Sequence, residues 1–377
     1  MSAPEVSRRD LAQPVLERAR QGPPLLLTGP PGAGKTTLLL ALTRSLADEG
    51  WVAVYLDLMG AVSSPDRFVT AALDAMPAAA FGRHLPRAAE LRRAAGAGRQ
   101  SEAEAVRGLL DLWAGLDEAN GRPVALLLDE ATEIRSLAYF SGLRDVDQLL
   151  GAALASRRRG TILATSFPTL AARSWSFENV PLPPFTSGEL RAVLSSLRLQ
   201  AGAESLLAAS FGWPRYVRIL VERLALGDGL PAAWADEMTA GGRLELACRS
   251  TYETLLLRSR GYGMSKAVLG AVAQEEGLNL TALVSRLGRT PGATRDYLHW
   301  LVGVDALRMV HKRYHYVDGL LRLWVRLHAR GTPPARPELL AAMPTPPDAE
   351  TTPTPQDNPS EVEAPLPRRR ESLIEID

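Results

Sequence analysis

The stretch LLLTGPPGAGKT, from Leu25 to Thr36, decides the fold. Three consecutive leucines read as a short buried strand. Glycines at 29, 32 and 34 then break the strand, and the Leu-rich run from Lys35 to about Ala47 reads as a helix. The spacing Gly29-x-x-x-x-Gly34-Lys35-Thr36 is G-x-x-x-x-G-K-[ST], here in the strand–loop–helix setting that the pattern requires. Glycine lets successive backbone N–H groups curl around an anion, and the helix start adds the positive end of its dipole. The residues of the cradle are then Gly29, Pro30, Pro31, Gly32, Ala33, Gly34, Lys35, Thr36 and Thr37. Lys35 reaches the β- and γ-phosphates, and the Thr36 hydroxyl binds Mg²⁺. The choice of residue at 35 is pointed. The chain has 43 basic residues, and all but Lys35, Lys266 and Lys312 are Arg.

Outward from this loop, short apolar runs alternate with helical patterns. Trp51–Leu56, Val124–Leu128, Thr161–Thr165 and Asn179–Leu182 read as strands. A helix over 7–20 precedes them, others cover about 66–76, 102–116 and 143–156, and 77–100 reads as an irregular insertion. Buried strands separated by helices predict a parallel sheet covered on both faces, an α/β three-layer αβα architecture. The strand Val124–Leu128 ends in Asp129-Glu130. Two acids at the carboxyl edge of such a sheet lie where ligands bind. Asp129 is assigned to the Mg²⁺ ion together with Thr36. Glu130 is assigned to orient and activate an attacking water.

Composition narrows the function classes. At 46% hydrophobic and 23% charged residues, 377 residues suit a soluble globular protein of two or three domains. The single cysteine, Cys248, excludes an internal disulfide framework and a Cys-cluster zinc site. No apolar run approaches a membrane span. The start, MSAPEVSRRD, lacks the apolar segment of a secretory signal, so the expected location is the cytoplasm. Net charge is +1, but residues 250–330 carry twelve Lys/Arg against six Asp/Glu, whereas 331–377 carry four against nine. That last stretch holds 11 of the 28 prolines and reads as a disordered, acidic tail. Its end, PRRRESLIEID, is a candidate peptide for a protein partner.

With these motifs the sequence resembles the AAA+ ATPases, in particular the initiator-like and archaeal-type members with a C-terminal winged helix, close to the STAND ATPases. The resemblance covers residues 8–328. It implies a P-loop NTPase three-layer αβα core at 21–184 after an N-terminal helix at 1–20. A helical lid at 185–249, a winged-helix domain at 250–330 and the tail at 331–377 follow. It also implies Mg-ATP hydrolysis and ATP-dependent homo-oligomerisation. Thr165 looks like the sensor-1 residue at the end of its strand, with Ser166 next in order. Arg173 sits where such families place an arginine finger, and Arg157-Arg158-Arg159 is the rival position. Phe211-Gly212-Trp213-Pro214-Arg215-Tyr216 resembles the lid motif, with Arg215 as sensor-2. Arg8–Leu11 resembles the segment beside the adenine.

The basic unit reads as helix (264–273), helix (279–287), helix (Thr290-Pro291 to about 302) and a hairpin over 308–317 turning near Lys312-Arg313. Thr as N-cap and Pro at the first turn set the third helix. This is the order of a winged helix. Arg289, Thr294, Arg295 and His299 fall on or beside the recognition helix, and Arg308, Lys312 and Arg313 on the wing, positions suited to phosphate contacts on double-stranded DNA. The expected function is a DNA-associated motor, loader or regulator. The alternative is a nucleotide-dependent signalling switch acting through protein partners without DNA. A small-molecule kinase is a third reading, which leaves the winged helix unexplained.

Overall fold

A central strand fixes the architecture. In the computed structural model, which describes residues 9–81 and 84–346, β1 (Leu25–Thr28) lies inside a mixed sheet. The other strands are β2 (Val52–Asp57), β3 (Glu118–Ala119), β4 (Arg122–Asp129), β5 (Thr161–Thr165) and β6 (Glu178–Pro181). The order is β2-β4-β5-β1-β6, all parallel, with β3 antiparallel against the start of β4. Period-two alternation sorts the side chains between two cores. Leu25, Leu27, Leu127 and Ile162 pack with Leu38, Leu39 and Leu42 of the helix Lys35–Asp48 and with Leu16 of the helix Arg9–Gln21. Leu26, Leu126, Leu128 and Leu163 pack on the opposite face with Phe68, Val106 and Trp113. Each fully buried leucine contributes about 2 kcal/mol of transfer free energy. The strand ends are in register, Asp57 beside Asp129 and Thr28 beside Thr165, so their polar termini share one edge. This is the parallel sheet with covering helices that the strand pattern predicts.

The segment 77–100 differs from expectation. It holds the short helices Ala78–Phe81 and Leu85–Ala95 and runs into the helix Arg99–Ala114. Ala88, Leu91 and Ala95, spaced three and four apart, are buried against the second core. Its Ala/Arg-rich composition masks a narrow apolar stripe.

After β6 the chain is helical: Ser187–Ser196, Ala203–Ser210, Pro214–Ala225, Leu230–Met238 and Arg243–Arg258. The C-terminal unit follows as helix Tyr262–Gln274, β7 (Leu278–Asn279), helix Leu280–Leu287, helix Pro291–Gly303, β8 (Leu307–Val310), β9 (Arg313–Tyr316) and helix Gly319–His328. Its sheet runs β7-β9-β8, antiparallel, which is the element order of a winged helix. Asn279 and Thr290 cap their helices, as the sequence indicates for Thr290. The hairpin turns at His311-Lys312 rather than Lys312-Arg313. Both residues have positive φ, the two-residue turn that matches strand twist.

Two expected boundaries need correction. The division at 249/250 falls inside the continuous helix Arg243–Arg258, and a single apolar core runs from Phe185 through Cys248 to Trp324 and Leu339. Lid and C-terminal unit are therefore packed as one body. The tail expected to be disordered from 331 instead begins with a helix, Arg336–Ala342. Leu339 buries itself in that core and Arg336 pairs with Asp236 at 2.9 Å, so this first part of the Pro-rich stretch has enough apolar contact to order. The rest of the expected tail, with PRRRESLIEID, lies outside the described residues, as does Arg8.

Candidate functional site

The loop after β1 is shaped by its glycines. Gly32 and Gly34 both sit at φ +90°, a conformation costly for residues with a Cβ. A Cβ on Gly32 would also lie 2.7 Å from the Cβ of Arg215, so the lid helix seats directly on the loop. The Arg215 N–H donates to the Gly32 carbonyl at 3.1 Å.

Lys35 is 4% exposed. Its Nζ donates to the carbonyls of Gly29 (2.9 Å) and Pro30 (3.2 Å) and to Ser166 Oγ (2.8 Å), and lies 3.6 Å from Glu130 Oε1. Burial pulls its ammonium below the ordinary lysine value, while Glu130 and Asp129 oppose that shift. Asp129, 2% exposed, accepts from Tyr55 OH at 3.1 Å and from the Glu130 N–H at 3.0 Å, and Thr36 also donates to it. Burial raises its proton affinity and these donors counteract the rise. Glu130 adopts φ +44°, a sparsely populated conformation for a side chain of this kind. Its carboxylate accepts from the Ser166 N–H (2.9 Å) and Ser166 Oγ (2.5 Å). Lys35, Ser166 and Glu130 thus form one closed cluster at the carboxyl edge of the sheet.

The cluster opens on a cavity of about 420 Å³. Gly32, Lys35, Thr36 and Glu130 line it from the αβα core, and Arg215, Arg218 and Arg258 from the helices that follow. Four cationic side chains around one space suit a polyanion. Thr36 beside a buried, hydrogen-bonded Asp129 is a hard oxygen donor pair of the kind magnesium takes. The residues present therefore fit Mg-nucleotide.

The sequence-predicted residues divide. Those of the phosphate loop, Asp129, Glu130 and Arg215 converge. Thr165 does not reach the cavity. It is 0% exposed, and its hydroxyl is bonded to Thr132 Oγ1 (2.8 Å) and receives the Phe167 N–H (3.0 Å). Strand alternation turns residue 165 into the protein, and the next residue, Ser166, meets the site. Arg173 is exposed on the helix Pro168–Ser174, with Nη2 3.4 Å from His299 Nε2, so it rests on the C-terminal unit of its own chain. The rival triplet lies at the start of β5, the opposite edge of the sheet. Arg157 there is buried and bonded to the carbonyls of Trp113, Leu116 and Val124, with burial lowering its pKa to about 10. Arg159 pairs with Glu118 at 2.9 Å.

In the C-terminal unit, Arg289, Arg295, Arg308, Lys312 and Arg313 are exposed, and Arg313 also donates to the Gly277 carbonyl at 2.8 Å. Thr294 is not available to a ligand. It is 0% exposed and donates to the Thr290 carbonyl, because it faces inward on the third helix. His299 is exposed but engaged by Arg173. Arg218, Arg258 and Tyr55 were missed from sequence. Arg218 lies one helical turn after Arg215 and that spacing could have flagged it. Tyr55 and Arg258 act on residues 74 and 125 positions away, which no local pattern reveals.

Residues 7–159 match the family model described as AAA ATPase domain. Among solved structures, the fold is similar to a Walker-type ATPase of Pyrococcus abyssi, with TM-score 0.60 at 17% identity over 85% of this chain and 96% of that one. The ORC2 protein of Aeropyrum pernix aligns with TM-score 0.47 at 14% identity, over 90% of this chain and 93% of that one. No curated protein matches the sequence. Residues 7–159 are thus similar to a AAA ATPase domain, and the fold is similar to that of the Pyrococcus abyssi ATPase.

Proposed function

We propose that the chain binds and hydrolyses Mg-ATP and passes its nucleotide state through the lid to the C-terminal unit, which engages double-stranded DNA. The observation that carries the first part is the meeting of Lys35, Ser166, Glu130 and Arg215 around one cavity behind a glycine-shaped loop. Lys35 and the loop N–H groups neutralise and hold the phosphates. Glu130 positions a water and accepts its proton, with Ser166 setting the carboxylate's orientation. Thr36 and Asp129 would hold magnesium, which supplies charge neutralisation on the phosphates when bound. Arg215 closes the site from the lid.

Coupling has a material route. Tyr216, next to Arg215, donates to Asp318 at 2.6 Å, and Asp318 caps the helix Gly319–His328 of the C-terminal unit. DNA contact is supported by the exposed Arg289, Arg295, Arg308, Lys312 and Arg313 on one small basic unit. The second reading, a switch acting on a protein partner, is favoured by Arg173 against His299 and by the bonds from Thr169 to Asp305. These tie the third helix region to the ATPase core, as a packing module would be. ATP-driven assembly of copies belongs to the proposal too, with Arg173 reaching a neighbour only after leaving His299. Titration calorimetry of the full chain with Mg-ATP tests the site, and absence of binding removes the whole reading. DNA affinity measured against salt then separates the two roles. A steep slope supports DNA engagement, and no binding at low salt leaves the switch.

A further inference from the structure

One wall of the nucleotide cavity belongs to none of the recognised motifs. It comes from the helix Arg243–Arg258, whose last residue is Arg258. The Arg258 guanidinium pairs with Glu133 and lies 4.4 Å over the Phe167 ring. Phe167 follows Ser166, whose hydroxyl accepts from Lys35, so Arg258 is held on the side of the cavity where the lysine ends. In the motif geometry that end faces the β- and γ-phosphates.

Glu133 is three residues beyond Glu130, buried, and its N–H donates to the Glu130 carbonyl at 2.9 Å. Arg258 is thus stationed between a buried carboxylate and the place of a more highly charged anion. A guanidinium presents five donors in a planar fork, and stacking on a ring leaves its edge free to rotate between acceptors. A phosphate is the stronger charge-assisted acceptor. Uncovering Glu133 opposes the exchange, because a buried carboxylate without its partner is costly. Only an anion with enough charge within reach of Arg258 overcomes that opposition.

We propose that Arg258 is a phosphate-contacting residue that exchanges Glu133 for the terminal phosphate of a bound nucleoside triphosphate, so that ATP is distinguished from ADP by the helix Arg243–Arg258. The proposal rests on the nucleotide reading of the cavity and adds to it a residue outside the phosphate loop and lid motif. The pair is a threshold: ADP leaves Arg258 on Glu133, and ATP draws it across.

Calorimetric affinities for Mg-ADP and for a non-hydrolysable Mg-ATP analogue test this on the full chain. The set is wild type, Arg258→Ala, Glu133→Gln, the double variant and Lys35→Ala. Arg258→Ala is expected to weaken the analogue about tenfold or more and ADP by less than about threefold. Glu133→Gln removes the competing charge and is expected to strengthen analogue binding several-fold, an effect that disappears in the double variant. If both Arg258→Ala and Glu133→Gln keep the wild-type ratio of analogue to ADP affinity, the exchange is overturned. Should Arg258→Ala fail to fold, Glu133→Gln decides alone: an unchanged ratio sinks the proposal and a raised one supports it. Lys35→Ala separates the two levels. Wild-type binding of both nucleotides that Lys35→Ala weakens about tenfold or more keeps the site reading whatever the Arg258 result. A wild type that binds neither nucleotide overturns both.

Discussion

The phosphate loop and the C-terminal basic unit both carry conspicuous cations, and they use them in opposite ways. Around the loop, Lys35 and Asp129 are buried, Glu130 is half-buried, and each is held by polar partners: Lys35 by Ser166 and two carbonyls, Glu130 by Ser166, Asp129 by Tyr55. In the C-terminal unit the cations stand on the surface, and the polar residue that seemed to join them, Thr294, is folded inward. Burial makes each charge in the first region expensive to hold unless it has partners, so its residues tolerate little change. The second region is a solvated face, where each contact is weak and the sum matters.

Variants can break or sharpen that contrast. The largest effect is expected from Glu130→Gln, with turnover falling about 10²- to 10⁴-fold while Mg-ATP binding persists, measured by phosphate release beside calorimetry. Normal hydrolysis would remove Glu130 as the base. Lys35→Ala should follow, weakening ATP by roughly 10- to 100-fold through loss of charge-assisted contacts. On the basic face, Arg289→Ala and Arg295→Ala should each cut DNA affinity modestly and lower the salt slope by about one. Thr294→Ala should leave both untouched and cost about 1 kcal/mol in stability through its lost hydrogen bond, read from denaturant midpoints. An effect of Thr294→Ala on DNA affinity matching that of Arg295→Ala would erase the distinction between inward and outward positions.

The smallest effect concerns the junction. Asp305 accepts from Thr169 N–H (3.1 Å) and Oγ1 (2.6 Å), and burial raises its pKa from 3.8 to about 7. A carboxyl whose folded pKa is raised contributes stability that is full below about pH 4 and is lost as pH rises through about 7. The slope is at most about 1.4 kcal/mol per pH unit, and partial exposure makes it less. Thermal melts between pH 5 and 8 should show a decline in wild type that flattens in Asp305→Asn. Equal slopes would remove Asp305 as its source.

Much of the αβα half was legible because its signals are local. The loop glycines, the lysine and the acid pair are adjacent in sequence, and alternation in β1, β4 and β5 follows from residue type. Thr165 was misplaced for a reason the same alternation contains: one position decides which face a strand residue takes, and the strand's end is where a sequence reading is least exact. Arg258, Tyr55 and Glu133 were invisible because their partners lie far along the chain. The fused lid and C-terminal core was hidden too. Gly and Pro punctuation marks helix ends, whereas whether neighbouring helices share one core depends on faces that meet only in three dimensions. The helix at 336–342 shows the limit of composition, since one buried leucine and the ion pairs of Arg336 with Asp236 and Glu338 with Arg330 order a segment that its prolines argue against.

The helix Arg243–Arg258 carries a mechanical consequence. Sixteen residues without a break make a rod about 24 Å long. It holds no Gly or Pro that would make a joint, so a displacement at its cavity end is passed along to the elements packed on the rest of it. A Gly-Gly pair at Leu246-Ala247, short of the cavity-lining Ser250 and Thr251, would loosen the rod and leave the cavity side chains in place.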